Sequence, residues 1–389
     1  MRFYRLLIYL LLIIIPLYFL QGILYPTGSL LSQGLIASWF IIDIIFLLKY
    51  SIKPYKDEVA GVIILFCLMN TLYWLFSEKT IGVIATITDL KNILVAFLTY
   101  FPFRYICKGN VINRIQFIIF LICLFVVFIL SFYKNQYFLL EQASTDILGV
   151  TNNSAYKFVI MLPIISFLLP KNKILYGLLY IISLYLVIQG AKRGAILCLI
   201  LQTLLMLIYF FRISHKNYVR NIVFISMFLT LVIIAANQMY ESNEYLQYRI
   251  AGMMSGTDDS GDARIDQYSA ITSAVFNGTL LNFIFGYGFD QTLSIAGNYA
   301  HNDWFELLAN MGVFGVLIYL SFFIRLIWMY FKYRKVFDPE DKLMFFAAFG
   351  IWLLRSMFSM SYLYMDTFLL IVVFAYIQSK IEFKLISKL

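Results

Sequence analysis

Charge is scarce in this sequence. Only 13% of its 389 residues are Asp, Glu, Lys or Arg, whereas 62% are hydrophobic and 19% aromatic, and the mean hydropathy is +0.83. Soluble globular domains carry about a quarter charged residues and an apolar share near one half, so the composition excludes a water-soluble fold. Cysteine is sparse as well. The four present, Cys67, Cys107, Cys123 and Cys198, lie within or beside apolar runs, with no C-x-x-C among them, which argues against a disulfide framework or a thiolate metal site. Histidine is rarer still: His215 and His301 are the two positions where an ordinary side-chain pKa falls near neutrality. No internal repeat is visible, which weighs against transporters built from duplicated halves.

What the chain has in abundance is long apolar runs. A helix needs about 20 such residues to cross roughly 30 Å of hydrocarbon, and runs at 6–24, 30–48, 59–77, 81–101, 115–133, 155–169, 173–189, 194–211, 219–238, 306–331, 342–358 and 363–379 give about twelve spans. As one helix, 174–211 would extend about 57 Å at ~1.5 Å per residue. That is too long for a single crossing, so a tight turn is expected near Gly190-Ala-Lys-Arg-Gly194. The first run follows Arg2 and Arg5 but is long and lacks a small-x-small cleavage site, so it is expected to be a retained span, not a signal peptide.

Orientation follows from Lys and Arg in the short loops. With the N-terminus in the cytoplasm, 20 of the 30 basic residues fall in inside loops or at their helix ends, among them Lys49, Arg104, Arg114, Lys171, Arg212, Lys332 and Lys384. Both termini are then expected to be cytoplasmic. The net charge of +9 is explained by topology, with no nucleic-acid partner required. The expected fold class is an all-α integral membrane protein, 1–389 forming a single polytopic membrane domain.

One connection is long. Residues 239–300 are expected on the outer side and are acidic, with Glu241, Glu244, Asp258, Asp259, Asp262, Asp266 and Asp290 against Arg249 and Arg264. A structureless loop of that length is unusual in a compact protein. Ile265, Tyr268, Thr272 and Val275 stand at helical spacing after a turn-rich tip, which predicts a short amphipathic helix on the outer face of the membrane. Ionisable groups in or near the spans are functional candidates by default; here they are Asp43, Asp89, Lys91, Arg325, Arg355 and Asp366. Asp89 with Lys91, and Arg355 with Asp366, are expected to neutralise each other.

The densest cluster of polar chemistry runs from Tyr299-Ala-His-Asn-Asp-Trp-Phe-Glu306 to Gly312-Val-Phe-Gly315, where a polar loop meets an apolar run. His301 is the neutral-pH base there, with no second one expected in the outer segments. His-Asn, then an acidic residue, then Gly-x-x-Gly resembles the signature of the O-antigen polymerase and ligase superfamily. Four further pieces match in order: the asparagine turn Gly149-Val-Thr-Asn-Asn-Ser-Ala155, Arg193 opening a span in Gln189-Gly-Ala-Lys-Arg-Gly-Ala195, Arg264 in Gly261-Asp-Ala-Arg-Ile-Asp-Gln-Tyr268, and Gly286-Tyr-Gly-Phe289. Lys192 departs from the commoner polar residue at its position.

The resemblance implies a multi-pass glycosyltransferase of the bacterial cytoplasmic (inner) membrane, working on its outer side, where nucleotide sugars are absent. The donor would be an undecaprenyl-diphosphate-linked oligosaccharide. An acceptor hydroxyl attacks the anomeric carbon, the lipid diphosphate departs, and the configuration inverts; no metal or other cofactor is implied. His301 would take the catalytic role, Arg193, Arg264 and Arg355 would bind diphosphate, and Asn302, Glu306 and Asn153 would orient sugars. Plainer structural readings stand beside these: an interfacial hydrogen bond for His301, a lipid headgroup for Arg193, a salt bridge to Asp262 or Asp266 for Arg264, and ordinary turn chemistry for the asparagines. Polymerisation of O-antigen or capsular repeat units is the favoured activity. Ligation of glycan to lipid A-core is the alternative, and a lipid-linked glycan flippase or transporter the alternative of another class. Expected partners are membrane lipids and, among proteins, a chain-length regulator or flippase.

Overall fold

The computed structural model describes residues 2–25, 28–51, 57–79, 82–108, 111–143, 152–213 and 259–386, with isolated positions between 230 and 251. Its helices are α1 (Arg2–Leu24), α2 (Leu30–Ser51), α3 (Ala60–Phe76), α4 (Val83–Leu98), α5 (Tyr100–Lys108), α6 (Arg114–Ala143), α7 (Ala155–Ile165), α8 (Lys173–Gln189) and α9 (Arg193–Ile213). After the outer connection come α10 (Asp259–Asn277), α11 (Leu280–Phe285), α12 (Thr292–Ala296), α13 (Asp303–Tyr333), α14 (Pro339–Phe358) and α15 (Phe368–Ile386). No strand occurs among the described residues. The protein is an all-α membrane protein. Six described helical segments are long and apolar enough to cross a membrane, and Ala60–Phe76, Ala155–Leu168 and Lys173–Gln189 are shorter apolar helices. Every span expected from sequence overlaps a helix except 219–238, which lies almost wholly outside the described residues.

The chain divides into two compact units. The first comprises Met1–Ile36, Ile112–Asp258 and Phe337–Ile351. Here α1 packs along α6, with Phe19 set edge-on to Phe128 at 5.2 Å. The tight turn expected near 190–194 is present: α8 ends at Gln189 and α9 begins at Arg193, with Ala191 in the left-handed region at φ +47°. This turn sits against the start of α7. The Asn152 N–H donates to the Gly190 carbonyl at 3.0 Å, and a Cβ on Gly190 would lie 2.8 Å from that of Ala155.

The second unit comprises Ala37–Val111, Asp259–Val336 and Trp352–Leu389. Its core is aromatic. Trp352 is fully buried, its ring centroid 4.7 Å from that of Phe322 and 5.7 Å from that of Phe97. Buried Trp39 donates its indole N–H to Thr99 at 2.9 Å, satisfying the one polar atom of that side chain. At the C-terminal end of α13 the unit holds a charged cluster. Arg104 meets Asp57 at 2.7 Å and pairs with Glu382, while Lys332 pairs with Glu58 and Arg325 reaches the same carboxylate at 3.7 Å. Arg325, which falls inside an apolar run, thus meets an acid at that end of the helix. The N-terminal end of α13, at the opposite end of the same helix, carries His301.

Candidate functional site in the second unit

The site is built on a break in α13. At Gly312 the backbone takes φ +63° and ψ −163°, and Gly286 mirrors it at φ +73° and ψ −161°. This region is open essentially to glycine alone. The two glycines abut: a Cβ on Gly286 would lie 2.5 Å from the Gly312 nitrogen, and one on Gly312 2.5 Å from the Gly286 nitrogen. The break deprives the carbonyls of Ala309 and Asn310 of their helical partners, and the turn after Gly286 supplies replacements. Tyr287 N–H donates to Ala309 and Gly288 N–H to Asn310, both at 2.9 Å. Gly286-x-Gly288 and Gly312-x-x-Gly315, far apart in sequence, are therefore two halves of one joint. The small residues serve backbone conformation here more than the helix packing usual for such motifs.

The Asn310 side chain continues the joint. Its Oδ1 accepts from Gln291 N–H at 2.8 Å and from Thr292 N–H and Oγ1 at 3.1 Å each, holding the start of α12. The Ser77 hydroxyl oxygen accepts from Phe289 N–H at 2.6 Å, and Gln291 Nε2 donates to the Glu78 carbonyl at 3.0 Å, tying the segment to the end of α3. Above it lies α10. The predicted amphipathic helix is present, but its buried face differs from the expected one. Ile271 and Val275 are fully buried and Tyr268 stacks on Phe305 at 4.2 Å, whereas Ile265 and Thr272 are exposed. Positions 268, 271 and 275 share a helix face, and Ile265 turns away from it. Arg264 is half-buried one turn before Tyr268.

These elements carry His301 to the mouth of α13. Its φ of +52° is one of three positive values at non-glycine positions among the described residues, a backbone state that costs of order 1–3 kcal/mol and persists only where neighbours impose it. The neighbours are identifiable. Glu306, fully buried, accepts the Ala300 N–H at 2.5 Å and also that of His301. Asn302 caps α13, its Oδ1 accepting from Trp304 N–H at 2.9 Å and Phe305 N–H at 3.4 Å while its Nδ2 donates to the Met357 carbonyl at 3.2 Å. Asn302 and Glu306 thus hold the His301 backbone. Asp303 is likewise committed: it accepts from Tyr319 Oη at 2.6 Å, and that hydroxyl in turn accepts from Trp352 Nε1 at 2.7 Å.

Arg355 is 2% exposed and pairs with Asp366 at 3.0 Å, as the sequence suggested. It also donates to Thr367 Oγ1 at 3.4 Å and stands over the Tyr364 ring. In the first unit, Arg193 is half-buried at the head of α9, and Asn153 is exposed beside buried Asn152. Asn152, not Asn153, shapes that turn: its Oδ1 accepts from Ser154 N–H at 3.0 Å and its Nδ2 donates to the Phe132 carbonyl at 3.0 Å.

Asp89 and Lys91 interact electrostatically, as the sequence suggested, and Asp290 is a further neighbour of Asp89. Asp290 lies on the segment after Gly286-Tyr-Gly288, at φ +64° and 2% exposed. Burial first, then the Asp89 charge, pushes its carboxyl up to about 7. Asp290 is therefore an outer group, besides His301, that the sequence did not single out as a candidate base near neutral pH. Tyr299, beside this pair and Glu306, is pushed up by burial and by their negative charges. No sequence signal links Asp89 to Asp290 across two hundred residues; Asp290 was legible only as one more acid of the loop.

The fold and this site define an all-α, multi-pass membrane protein whose polar groups gather at the end of a broken helix. Residues 178–320 match the family profile described as O-antigen ligase, in agreement with the superfamily resemblance of the motifs. That stretch contains Arg193, Arg264, His301, Asn302, Glu306 and the Gly286–Gly312 joint, while Asn153, Asp89 and Arg355 lie outside it. No curated protein matches the chain.

Proposed function

We propose that this protein is a metal-independent glycan polymerase of the bacterial cytoplasmic membrane, which transfers an oligosaccharide from undecaprenyl diphosphate to the acceptor sugar of another lipid-linked repeat unit. The observation that carries this reading is His301, held in a strained backbone at the mouth of α13 by Asn302 and Glu306, inside the stretch that matches the O-antigen ligase family. His301 takes the proton of the attacking hydroxyl, the new glycosidic C–O bond forms as the anomeric C–O bond to phosphate breaks, and the lipid diphosphate leaves as the anion. Inversion follows from a single displacement.

Arg193 grips diphosphate oxygens with its planar fork, and Arg264 on α10 assists. Arg355 contributes positive charge, shared with Asp366. Asn302 and Glu306 act mainly by fixing His301, and Asn153 offers an exposed amide to a sugar. Both termini lie in the cytoplasm with 239–300 outside; the ion-pair cluster at the far end of α13 from His301 supports that orientation. A chain-length regulator or flippase is the expected protein partner.

The ligase reading keeps support from the description of the matching family itself. Purified protein given lipid-linked repeat units separates the two. A ladder of lipid-linked oligomers without any other acceptor is the polymerase result, and product only on addition of lipid A-core would establish ligation instead.

A further inference from the structure

The three residues that follow His301 are each bonded to one stretch of chain: the last turn of α14 and the pair of 3₁₀ turns, Ser361–Leu363 and Met365–Thr367, that connect it to α15. Asn302 Nδ2 donates to the Met357 carbonyl at 3.2 Å, Asp303 Oδ1 accepts from Tyr362 N–H at 3.4 Å, and Trp304 Nε1 donates to Ser356 Oγ at 3.1 Å. The Tyr362 hydroxyl also accepts from Asn310 Nδ2 at 3.5 Å. Tyr362 therefore meets both ends of the short helical piece of α13 that precedes the break at Gly312.

Arg355 closes this connection from within. Its Nη2 meets Asp366 at 3.0 Å and its Nη1 donates to Thr367 Oγ1 at 3.4 Å, while the Thr367 hydroxyl donates to the Ser361 carbonyl, one residue before Tyr362. Thr367 is thus the relay between Arg355 and the strand of contacts that reaches Asp303. The Ser359 N–H returns to the Arg355 carbonyl at 2.8 Å, so both ends of the connection are tied to the same residue. Arg355, Ser361, Tyr362, Thr367 and Asp303 are each 2% exposed or less. With water excluded, a hydrogen bond lost here has no substitute, and a guanidinium so enclosed spends its planar fork on the protein's own groups.

We propose that the α14–α15 connection, locked by Arg355 through Thr367, is the positioning element of the transfer site: it sets the place of His301 by holding Asn302, Asp303 and Trp304. This rests on the glycosyl-transfer reading above. The positive φ of His301 calls for such a frame, because a backbone state of that cost persists only where the surroundings impose it. Arg355, Thr367 and Asp303 act through His301 and are positioning residues, not groups that touch sugar. Arg355 thus lends its charge to the site without contact.

The test compares Thr367→Val, which keeps the shape and loses the hydroxyl, with Thr367→Ser, which keeps the hydroxyl, in the purified full chain. On the monodisperse fraction of each, initial rates with lipid-linked repeat units give kcat and KM, and mass spectrometry follows modification of His301 by diethyl pyrocarbonate. Displacing a catalytic group by about 1 Å costs on the order of 10²-fold, so Thr367→Val should lower kcat by at least ~10-fold with KM for the lipid-linked donor retained. His301 should react severalfold faster as its frame loosens. Thr367→Ser should match wild type in both readouts. A raised KM with kcat and His301 reactivity unchanged would make Arg355 a diphosphate ligand and overturn the proposal, as would wild-type behaviour of Thr367→Val or an equal fall in Thr367→Ser. If Thr367→Val yields no monodisperse protein, Ser356→Ala, which removes the partner of Trp304, decides on the same two readouts. Wild type that makes no glycan product overturns the glycosyl-transfer reading, and the reactivity of His301 then still decides whether the connection frames it.

Discussion

Arg193, Asn302 and Glu306 show how differently a sequence pattern can be realised. Asn302 and Glu306 were candidate sugar ligands, yet each spends its side chain on backbone N–H groups around His301. Loss of an N-cap costs about 1 kcal/mol, so Asn302→Ala should lower the thermal midpoint of the detergent-purified protein. It should also cut turnover more than that loss of stability explains, because it releases the His301 backbone; unchanged turnover would make Asn302 a cap and nothing more. Arg193 is argued on chemistry: Arg193→Lys keeps a cation but loses the planar fork. Glycan formation should drop in both Arg193→Lys and Arg193→Ala at equal protein levels, and full retention in both would return the residue to the lipid-headgroup region. His301 and its neighbours were readable because rare residue types clustered in one stretch. Asp290 was not, because its proton affinity comes from burial and from a residue two hundred positions away.

At the scale of elements, most helices followed from apolar runs, and the tight turn before Arg193 followed from length alone. The break in α13 did not. Gly312-x-x-Gly315 reads as a packing motif, whereas the backbone at Gly312 and Gly286 occupies a region that side chains do not tolerate. The motif's partner lay in a turn that carried little information by itself. Gly312→Ala and Gly286→Ala each combine this strain, of order 1–3 kcal/mol, with contact at 2.5 Å against backbone. Both should lower the thermal midpoint and the yield of folded protein. Gly61→Ala and Gly177→Ala, which would meet nothing within 4 Å, should leave both intact. Equal behaviour of the two sets would remove the joint from the account. The outer helix α10 shows a smaller miss: the sequence pattern named a face one residue out of phase, because Ile265 is apolar but unpartnered.

For the whole molecule, composition alone was enough to assign a polytopic all-α membrane protein, and the basic residues of the short loops set an orientation. The ion pairs of Arg104 with Asp57 and Glu382, and of Lys332 with Glu58, put two of those cations at the end of α13 away from His301. Single cysteines introduced at Ser214 and Ser255 in a cysteine-free background should react with an impermeant thiol reagent in intact spheroplasts only at Ser255. The opposite pattern would invert the topology and put the site in the cytoplasm.

The central claim is that His301 handles the proton of the attacking sugar hydroxyl. It is tested most directly by single-turnover and multiple-turnover assays of purified His301→Ala with lipid-linked repeat units, product length being read on a gel. Proton transfer by a positioned base contributes ~10²–10⁴-fold to rate. The account predicts an inserted, stable variant that still binds the lipid-linked donor while product formation collapses by about that factor. Near-normal polymer from His301→Ala would contradict it.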